Sequence, residues 1–260
     1  MVTLATYLPF YRIHEITEYF LRNVEVLRPS QAIVYIDNVF HDKQREVISK
    51  VMPDGVEIKF GNWRNRNNTW LAMLRDFLNV NDVVIVVDSD VILTKSFSED
   101  FKKFLSLGKM IGVEDIKIGL KSRDIVINGI PYTRIAYYKR GHLPIFFGPK
   151  QAVIINHKID VDAITMLERA LNEVPVSIRN CIADEVILGL YALLIGQKLT
   201  PWFNGAINEE RVRSDSCNKH LKAYAHYKLF NALSKSRIKI EGLRLLYIKS
   251  RYLLSTLINW

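Results

Sequence analysis

One run of residues constrains the fold of this 260-residue chain more than any other. Val83–Val87 reads VVIVV, five consecutive β-branched residues with no polar alternation. A strand of this kind is covered on both faces, which is typical of the centre of a parallel sheet. The strand is followed at once by Asp88-Ser89-Asp90. Acidic residues at the end of a central strand lie at the edge where α/β sheets bind their ligands.

The residues around this strand repeat a strand-then-helix pattern. We therefore predict an α/β fold: a single Rossmann-like domain with a mostly parallel central sheet and helices on both faces. The predicted strands are Val2–Tyr7, Ala32–Ile36, Val56–Phe60, Val83–Val87 and Lys109–Val113, with two further apolar runs in Ile145–Asn156. The predicted helices are Ile13–Leu27, His41–Val51, Asn68–Asn79, Asp162–Asn172 and Asp184–Ile195.

Composition and charge narrow the class of protein. Apolar residues make up 49% of the chain and charged residues 24%, which is typical of a globular protein with a sizeable core. The formal net charge is +9, but the stretch from Lys228 onwards has seven basic residues and one acid, so it contributes +6 and leaves +3 for the rest. The body of the chain thus carries little excess charge and no recognition motif, which disfavours nucleic acid binding.

Cysteine usage and hydropathy favour a cytoplasmic setting. Cys181 and Cys217 have no CxxC spacing, which excludes a zinc cluster and does not indicate a disulfide scaffold, so we expect reduced thiols. The first residues lack the basic leader, apolar core and cleavage site of a secretory signal. No run of 18 apolar residues predicts a membrane-spanning helix.

Asp88 and Asp90 are candidate metal ligands. Alternate residues of a strand point to the same side, so both carboxylates face one ion if the strand geometry continues through Ser89. Carboxylate oxygens suit Mg²⁺ or Mn²⁺, and Mg²⁺ in particular is commonly shared with substrate phosphates. The plainer interpretation is a polar turn that ends a strand. The placement after a central strand, with Asp37 ending an earlier strand, favours the metal site.

Over roughly residues 1–228 the chain resembles glycosyltransferases of the GT-A fold, in which a DxD motif follows a strand like this one. This resemblance implies a metal-dependent transferase that moves a sugar from a nucleotide-sugar donor, a UDP- or GDP-sugar. The sequence leaves the acceptor open, with a glycan or a lipid-linked molecule as the candidates. The order and spacing of the motifs carry the resemblance. The downstream motifs are IFFGPKQAVIIN (145–156), Ala183-Asp184-Glu185, Pro201-Trp202-Phe203-Asn204 and Ala225-His226-Tyr227.

The resemblance also implies roles for individual residues. Asp90 and His226 would bind the metal, and Asp88 would contact the metal, the ribose or both. Asp37 would bind the base or the ribose. The remaining donor-site candidates are Thr6 and Tyr7 at the end of the first strand, Ser89 in the DxD turn, and the arginines Arg64, Arg66 and Arg75. His226 has a plainer alternative as a hydrogen-bonded structural residue in a strand or loop.

Asp184 and Glu185 are the candidate catalytic acids. Acidic residues at the start of a helix are also favoured by the helix dipole, by up to about 1 kcal/mol, so a structural role is the alternative. One carboxylate would act as the general base that inverting transfer requires, or would stabilise the transition state in a retaining enzyme. The sequence leaves the stereochemistry and the choice between the two residues open.

The C-terminal segment 229–260 is predicted to be a basic, amphipathic helical tail rich in Leu, Ile, Tyr and Trp. Such a segment suits an anionic membrane surface, at the inner face of the membrane, or alternatively packs on the domain. Two other functions stay open: a sugar-phosphate nucleotidyltransferase, and a non-enzymatic protein that retains the fold. The first is disfavoured because no glycine-rich, arginine-containing loop follows the first strand.

Overall fold

The computed structural model describes residues 1–63, 65–80, 83–105, 110–115, 126–127, 130–131, 152–182, 184–195, 199–208, 217 and 219–235. The chain forms two compact units. The first unit consists of Met1–Lys121, Pro149–Ile159 and Leu199–Glu210. The second consists of Ser122–Gly148, Asp160–Lys198 and Arg211–Trp260.

The first unit contains an eight-stranded sheet in the order β3-β2-β1-β4-β9-β6-β10-β5. The strands are β1 (Val2–Pro9), β2 (Gln31–Asp37), β3 (Val56–Gly61), β4 (Val83–Asp88), β5 (Val91–Leu93), β6 (Met110–Asp115), β9 (Ala152–Ile155) and β10 (Leu199–Asn208). The β3-β2-β1-β4 half is parallel throughout, and β6 with β10 adds a further parallel pair. β9 runs antiparallel to both β4 and β6, and β5 runs antiparallel to β10. The predicted α/β fold with a mostly parallel sheet is confirmed.

Helices connect the parallel strands of the first unit. α1 (Leu21–Leu27), α2 (Asp42–Val51) and α3 (Arg66–Asp76) connect the strands of the parallel half, and α4 (Lys95–Leu105) follows β5 and precedes β6. The predicted helix Ile13–Leu27 is not one regular helix. A 3-10 turn (Phe10–Arg12) and a π-helical turn (Ile16–Phe20) precede α1, so its first half is wound differently from the 3.6-residue periodicity that we assumed.

Apolar residues on both faces of the central strands form the core. Ile85 and Val87 of β4 are buried on one face together with Ile154 of β9, and the alternate residues Val84 and Val86 are buried on the other. Burying a side chain of this type stabilises the fold by about 1.5–3 kcal/mol. The continuous apolar run of β4 is thus explained by its position between β1 and β9, with side chains packed on each face of the sheet.

The second unit is mainly helical in its described part. Its helices are α5 (Val161–Glu173), α6 (Val176–Arg179), α7 (Asp184–Leu194) and α8 (Lys219–Lys235), and β7 (126–127) pairs with β8 (130–131) in an antiparallel ladder. α5 packs against both α7 and α8. The side chain of Asp160 caps α5 by accepting a hydrogen bond from the N–H of Ala163 at 2.9 Å, and the N–H of Asp160 donates to the hydroxyl of Tyr191.

A disulfide joins Cys181 to Cys217, with their Cα atoms 5.5 Å apart. The expectation of reduced thiols is therefore wrong. The two cysteines are 36 residues apart in sequence, and no local spacing indicates their pairing. They come together because the turn after α6 and the residues before α8 belong to the same compact unit.

Several predictions concern residues outside the described ranges. They include Arg64, the residues 145–151 and the tail beyond Lys235. The proposed boundary at residue 228 stays a prediction, and helix α8 continues through it to Lys235. In the part of the chain that the structure describes, no helix combines the length and apolar character needed to cross a membrane.

Candidate functional site

Two predicted site residues lie at the carboxyl ends of the strands on either side of β1. Pro9 at the end of β1 is in register with Asp37 of β2, and Tyr7 is in register with Asp88 of β4. The hydroxyl of Thr6 is buried and donates to the carbonyl oxygen of Val87 at 2.8 Å, which ties β1 to the residue before Asp88. The sequence therefore places two acids at one edge of the sheet.

Asp37 is held by backbone donors. Its side chain is buried, and its Oδ1 accepts hydrogen bonds from the N–H groups of Asn38 at 2.9 Å and Trp63 at 2.8 Å. Trp63 follows the neighbouring strand β3, so the carboxylate bridges the ends of β2 and β3. Both hydrogen bonds use Oδ1. Asp37 thus has a fixed orientation while Oδ2 takes no part in either of these contacts.

The Asp88-Ser89-Asp90 segment is a turn and not a continued strand. β4 ends at Asp88, Ser89 and Asp90 form the turn, and β5 begins at Val91. The strand alternation that we used to place both carboxylates on one side does not extend past Asp88. Asp88 is half-buried, whereas Ser89 and Asp90 are each only 4% exposed. The direction of the Asp90 carboxylate is consequently set by its neighbours.

A buried network of charged side chains surrounds the turn. The guanidinium of Arg12 grips Glu15 with two nitrogens: Nε donates to Oε1 at 2.7 Å, and Nη2 lies 2.5 Å from Oε2. The same Nη2 lies 3.4 Å from Oδ2 of Asp90. The hydroxyl of Ser89 donates to Oε2 of Glu15 at 2.6 Å. Glu15 thus connects Arg12 to the middle residue of the acidic turn.

Asn23 fixes the strand that follows the turn. Its side chain is fully buried in α1, and both polar atoms bond to the backbone of β5. Nδ2 donates to the carbonyl oxygen of Val91, and Oδ1 accepts from the N–H of Leu93, each at 2.7 Å. A side-chain amide has the donor and acceptor needed to imitate a neighbouring strand. The turn is therefore anchored on its far side as well as at its centre.

Comparison with known proteins identifies the fold. No protein-family model matches the chain, and no curated protein matches its sequence. The crystal structure of S. aureus TarS 1–349 in complex with UDP-GlcNAc is similar to it, with a TM-score of 0.57 and 12% identity over 98% of this chain and 72% of that chain. A second structure of TarS 1–349 gives a TM-score of 0.53 and 11% identity, over 98% of this chain and 71% of that one.

The chain has a GT-A fold. A longer S. aureus TarS structure gives a TM-score of 0.52 at 12% identity, and there the similarity covers 97% of this chain but 42% of the other. At these identities the likeness establishes the fold and leaves the reaction and the site residues as proposals.

The donor atoms at the acidic turn of this GT-A fold suit a small divalent ion. Mg²⁺ in particular is bound through one or two carboxylates together with substrate phosphates, and needs no cage made entirely of protein. Among the described residues, no three His, Cys, Asp or Glu side chains gather as such a cage. Among the described residues at this turn, the formal charges of Asp88, Asp90, Glu15 and Arg12 sum to −2, which one divalent cation would offset.

The arginine candidates do not come together at this edge in the described residues. α3 follows β3, so it begins at the carboxyl edge and runs away from it. Arg75 is exposed in the last turn, roughly 13 Å along the helix from Arg66 at 1.5 Å per residue. Arg64 lies outside the described residues. The structure thus leaves the diphosphate role of these arginines as a prediction.

The remaining candidates belong to the second unit. Asp184 is the first residue of α7 and half-buried, and Glu185 is the second. His226 lies in α8, so the strand or loop that we assumed for its structural alternative is wrong, and its metal role stays a prediction. The buried residues Ala225, Leu229, Ala232 and Leu233 recur at helical spacing, which explains why this segment is a helix.

Sequence reasoning missed Arg12, Glu15 and Asn23. We assigned the last two to a predicted amphipathic helix and gave Arg12 no role. An acid and a base three residues apart were a usable signal, because side chains at this spacing meet on a helical turn. The sequence gives no indication that the pair is buried against Ser89 and Asp90, which lie more than 70 positions further on.

Proposed function

We propose that this protein is a metal-dependent glycosyltransferase that moves a sugar from a nucleotide-sugar donor, a UDP- or GDP-sugar, to a glycan or lipid-linked acceptor. One observation carries the proposal: in a GT-A fold, buried Asp37 and the Asp88–Asp90 turn lie on either side of the β1 end. A nucleotide and its diphosphate need two separate recognition points, and this edge offers two.

Asp37 would recognise the nucleoside. Its Oδ1 is committed to two backbone N–H groups, which leaves Oδ2 to accept a hydrogen bond from a base N–H or a ribose hydroxyl. A charged acceptor forms hydrogen bonds roughly twice as strong as a neutral one. Thr6 and Tyr7 would support this part of the site from β1, where Tyr7 packs edge-on against Trp70 at 5.6 Å between ring centroids.

Asp88 and Asp90 would hold Mn²⁺ or Mg²⁺, with His226 as the third proposed ligand on the resemblance alone. A divalent ion bound there would offset the charge that builds on the diphosphate leaving group. Ser89 and Asp90 are buried, so their orientation is restricted before any ligand arrives. The side chains thus act by holding a fixed geometry.

Asp184 or Glu185 would supply the catalytic carboxylate. In an inverting reaction one of them would take the proton from the acceptor hydroxyl as the new glycosidic bond forms. In a retaining reaction it would stabilise positive charge on the sugar ring. Both assignments rest on the resemblance of the Ala183-Asp184-Glu185 segment.

The tail 229–260 would bring the enzyme to an anionic membrane surface and so to a lipid-linked acceptor. The Cys181–Cys217 disulfide removes the thiol argument for a cytoplasmic setting, so this proposal does not depend on the side of the membrane. Deleting residues 236–260, which leaves α8 intact, should reduce sedimentation with anionic liposomes and leave nucleotide binding unchanged. If the intact protein does not sediment with such liposomes, the membrane role is excluded.

Nucleotide binding tests the function directly. UDP, GDP, CMP and dTDP are titrated calorimetrically into the protein, each with Mn²⁺ and with EDTA. We expect one nucleoside diphosphate to bind with Mn²⁺ and to bind much more weakly with EDTA. Asp90→Asn should abolish this difference, and Asp54→Asn, an exposed acid in the turn before β3, should retain it.

The fold of Asp90→Asn should survive, because Arg12 keeps its two contacts with Glu15. If no nucleotide binds, the proposal fails and a non-enzymatic role is favoured. Release of pyrophosphate from a nucleoside triphosphate and a sugar phosphate would instead identify a nucleotidyltransferase.

A further inference from the structure

Two buried carboxylates share one guanidinium beside the acidic turn. The Arg12, Glu15 and Asp90 side chains are 13%, 2% and 5% exposed, so solvent screens their charges little. Nη2 of Arg12 lies 2.5 Å from Glu15 and 3.4 Å from Asp90. Arg12 therefore pairs mainly with Glu15, although Asp90, and not Glu15, is the proposed metal ligand.

We propose that Glu15 is a positioning residue that holds Arg12 back from Asp90 and thereby leaves the Asp90 carboxylate available to a divalent cation. This inference rests on the proposed function, since it presupposes a cation at the Asp88–Asp90 turn. In this role Glu15 would not need to contact the donor. It acts through Arg12 and through Ser89.

The first reason is the geometry of the guanidinium. A planar fork with two donors matches a carboxylate in a bidentate contact, and Glu15 receives that contact from Nε and Nη2. Asp90 receives the longer approach of Nη2 alone. If Glu15 lost its charge, Asp90 would be the carboxylate still in contact with Arg12 among the described ion pairs. Arg12 would then pair with Asp90 and oppose a cation there.

The second reason is that Glu15 also holds the turn. The hydroxyl of Ser89 donates to Oε2 of Glu15 at 2.6 Å, in a buried hydrogen bond across 74 positions of sequence. Ser89 lies between Asp88 and Asp90, so this contact limits how both acids can move. One carboxylate thus sets the position of Arg12 and of the turn.

Charge counting predicts a rescue that distinguishes this role from a merely structural one. Arg12, Glu15, Asp88 and Asp90 together carry −2. Glu15→Gln reduces the total to −1, and a second change, Arg12→Gln, restores it to −2 and removes the competing guanidinium. A glutamine at position 15 can still accept a hydrogen bond from Ser89.

The experiment measures UDP binding by calorimetry with Mn²⁺ and with EDTA, using GDP if the nucleotide panel selects it. Glu15→Gln should weaken Mn²⁺-dependent binding about 10–100-fold, the loss typical of removing a residue that orients a metal ligand. The double variant Glu15→Gln/Arg12→Gln should regain most of that loss. Lys59→Gln, which breaks an exposed ion pair at Asp76, is the matched control and should bind like wild type.

Binding by the double variant decides the question. If the double variant loses as much affinity for UDP as the two single variants together, or binds UDP more weakly than Glu15→Gln, the inference is overturned. Either result would indicate that Arg12 itself contacts the diphosphate. If Glu15→Gln binds UDP with Mn²⁺ as tightly as wild type does, the inference is also overturned, and the proposed function is unaffected. Wild type that binds no nucleotide would remove the proposed function, and the positioning role with it.

Folding is checked by urea denaturation of each variant. If Glu15→Gln does not fold, Arg12→Gln tests the same claim from the other partner. The inference then predicts Mn²⁺-dependent binding at least as tight as in wild type, and a loss of ten-fold or more would contradict it.

Discussion

Asp37 and Asp90 are two buried acids at the same edge of one sheet, and they are held in different ways. Asp37 accepts hydrogen bonds from two backbone N–H groups, of Asn38 and Trp63. Asp90 lies against the guanidinium of Arg12, which is itself bound to Glu15. One acid is supported by neutral backbone dipoles, the other by a network of charged side chains.

The difference concerns what each acid can bind. Backbone N–H groups orient a carboxylate without bringing a formal charge, so Asp37 keeps its own charge for a ligand. A guanidinium near Asp90 offsets part of its charge and competes with any cation. The Asp37 environment depends on the path of the chain and tolerates many neighbouring side chains, whereas the Asp90 environment depends on the identity of residues 12, 15 and 89.

The largest effect should come from breaking the charged network. Arg12→Ala leaves two buried carboxylates without their cation, and removing one partner of a buried pair typically destabilises a protein by 3–5 kcal/mol; we expect about that loss. Urea denaturation at pH 7 measures it. Arg45→Ala, which removes an exposed arginine stacked over Phe60, is the control and should cost less than about 1 kcal/mol. Equal losses in the two variants would show that the network is not a buried one.

Substitutions of Asp37, the acid held by backbone N–H groups, should destabilise the protein less than Arg12→Ala does. The size of the loss should depend on whether the new side chain can still accept a hydrogen bond. Asp37→Ala removes the acceptor for two N–H groups and should destabilise the protein by about 2–3 kcal/mol, because hydrogen bonds to a charged acceptor contribute about 1.5–3 kcal/mol each and these are only partly buried. Asp37→Asn keeps an acceptor oxygen and should cost about 1 kcal/mol. The same denaturation series compares them. A loss in Asp37→Asn as large as in Asp37→Ala would mean that the charge, and not the hydrogen bonds, supports the fold.

The same contrast explains which parts of the molecule the sequence could predict. The parallel half of the sheet follows from strong local patterns, of which VVIVV at 83–87 is the clearest, and the placement of Asp37 and Asp88 at the strand ends follows from the topology. The Asp37 contacts are local consequences of that topology.

The Asp90 environment was not predictable in the same way. It depends on a 3-10 turn and a π-helical turn that place Arg12 and Glu15 against residues over 70 positions away, and hydrophobic periodicity carries no information about such winding. The pairing of Cys181 with Cys217 was missed for the same reason, because long-range contacts leave no local signal. His226 lies in helix α8 and not in the strand or loop that its structural alternative assumed, and its role as a metal ligand stays a prediction.

Asp37 and Asp90 should also differ in how they affect nucleotide binding, with a free-energy change smaller than the losses of stability expected for Arg12→Ala and Asp37→Ala. If Asp37 binds the nucleoside, Asp37→Asn should weaken nucleotide binding about tenfold, close to 1.4 kcal/mol, to the same extent with Mn²⁺ and with EDTA. Asp90→Asn should remove only the part that Mn²⁺ adds. Calorimetry under both conditions gives the two ratios. A Mn²⁺ effect that Asp37→Asn abolishes would place Asp37, and not Asp90, at the metal.

The smallest change in stability should come from an ion pair that is more exposed than Asp37 and Asp90. Nζ of Lys59 lies 2.9 Å from Oδ2 of Asp76, and about a third of the Lys59 side chain is exposed. Because solvent screens such pairs, Lys59→Met should change the free energy of unfolding by less than about 1 kcal/mol at pH 7. Burial lowers the pKa of Lys59, but the hydrogen bond and charge of Asp76, with the charge of Glu57, outweigh it and raise the pKa above its ordinary 10.5.

The direction of this pKa shift fixes the pH dependence. A lysine whose pKa is raised by folding contributes stability that is fully present below pH 10.5 and is lost as the pH rises through the higher folded value. Tyr35 also has a raised pKa, through burial and the charge of Asp76, but it is present in both proteins. The difference between wild type and Lys59→Met should therefore be constant from pH 7 to 9 and shrink at higher pH. A difference that already disappears between pH 7 and 9 would contradict a raised pKa. If Lys59→Met lowers the free energy of unfolding as much as Arg12→Ala does, exposure does not distinguish the Lys59–Asp76 pair from the charged network at Asp90.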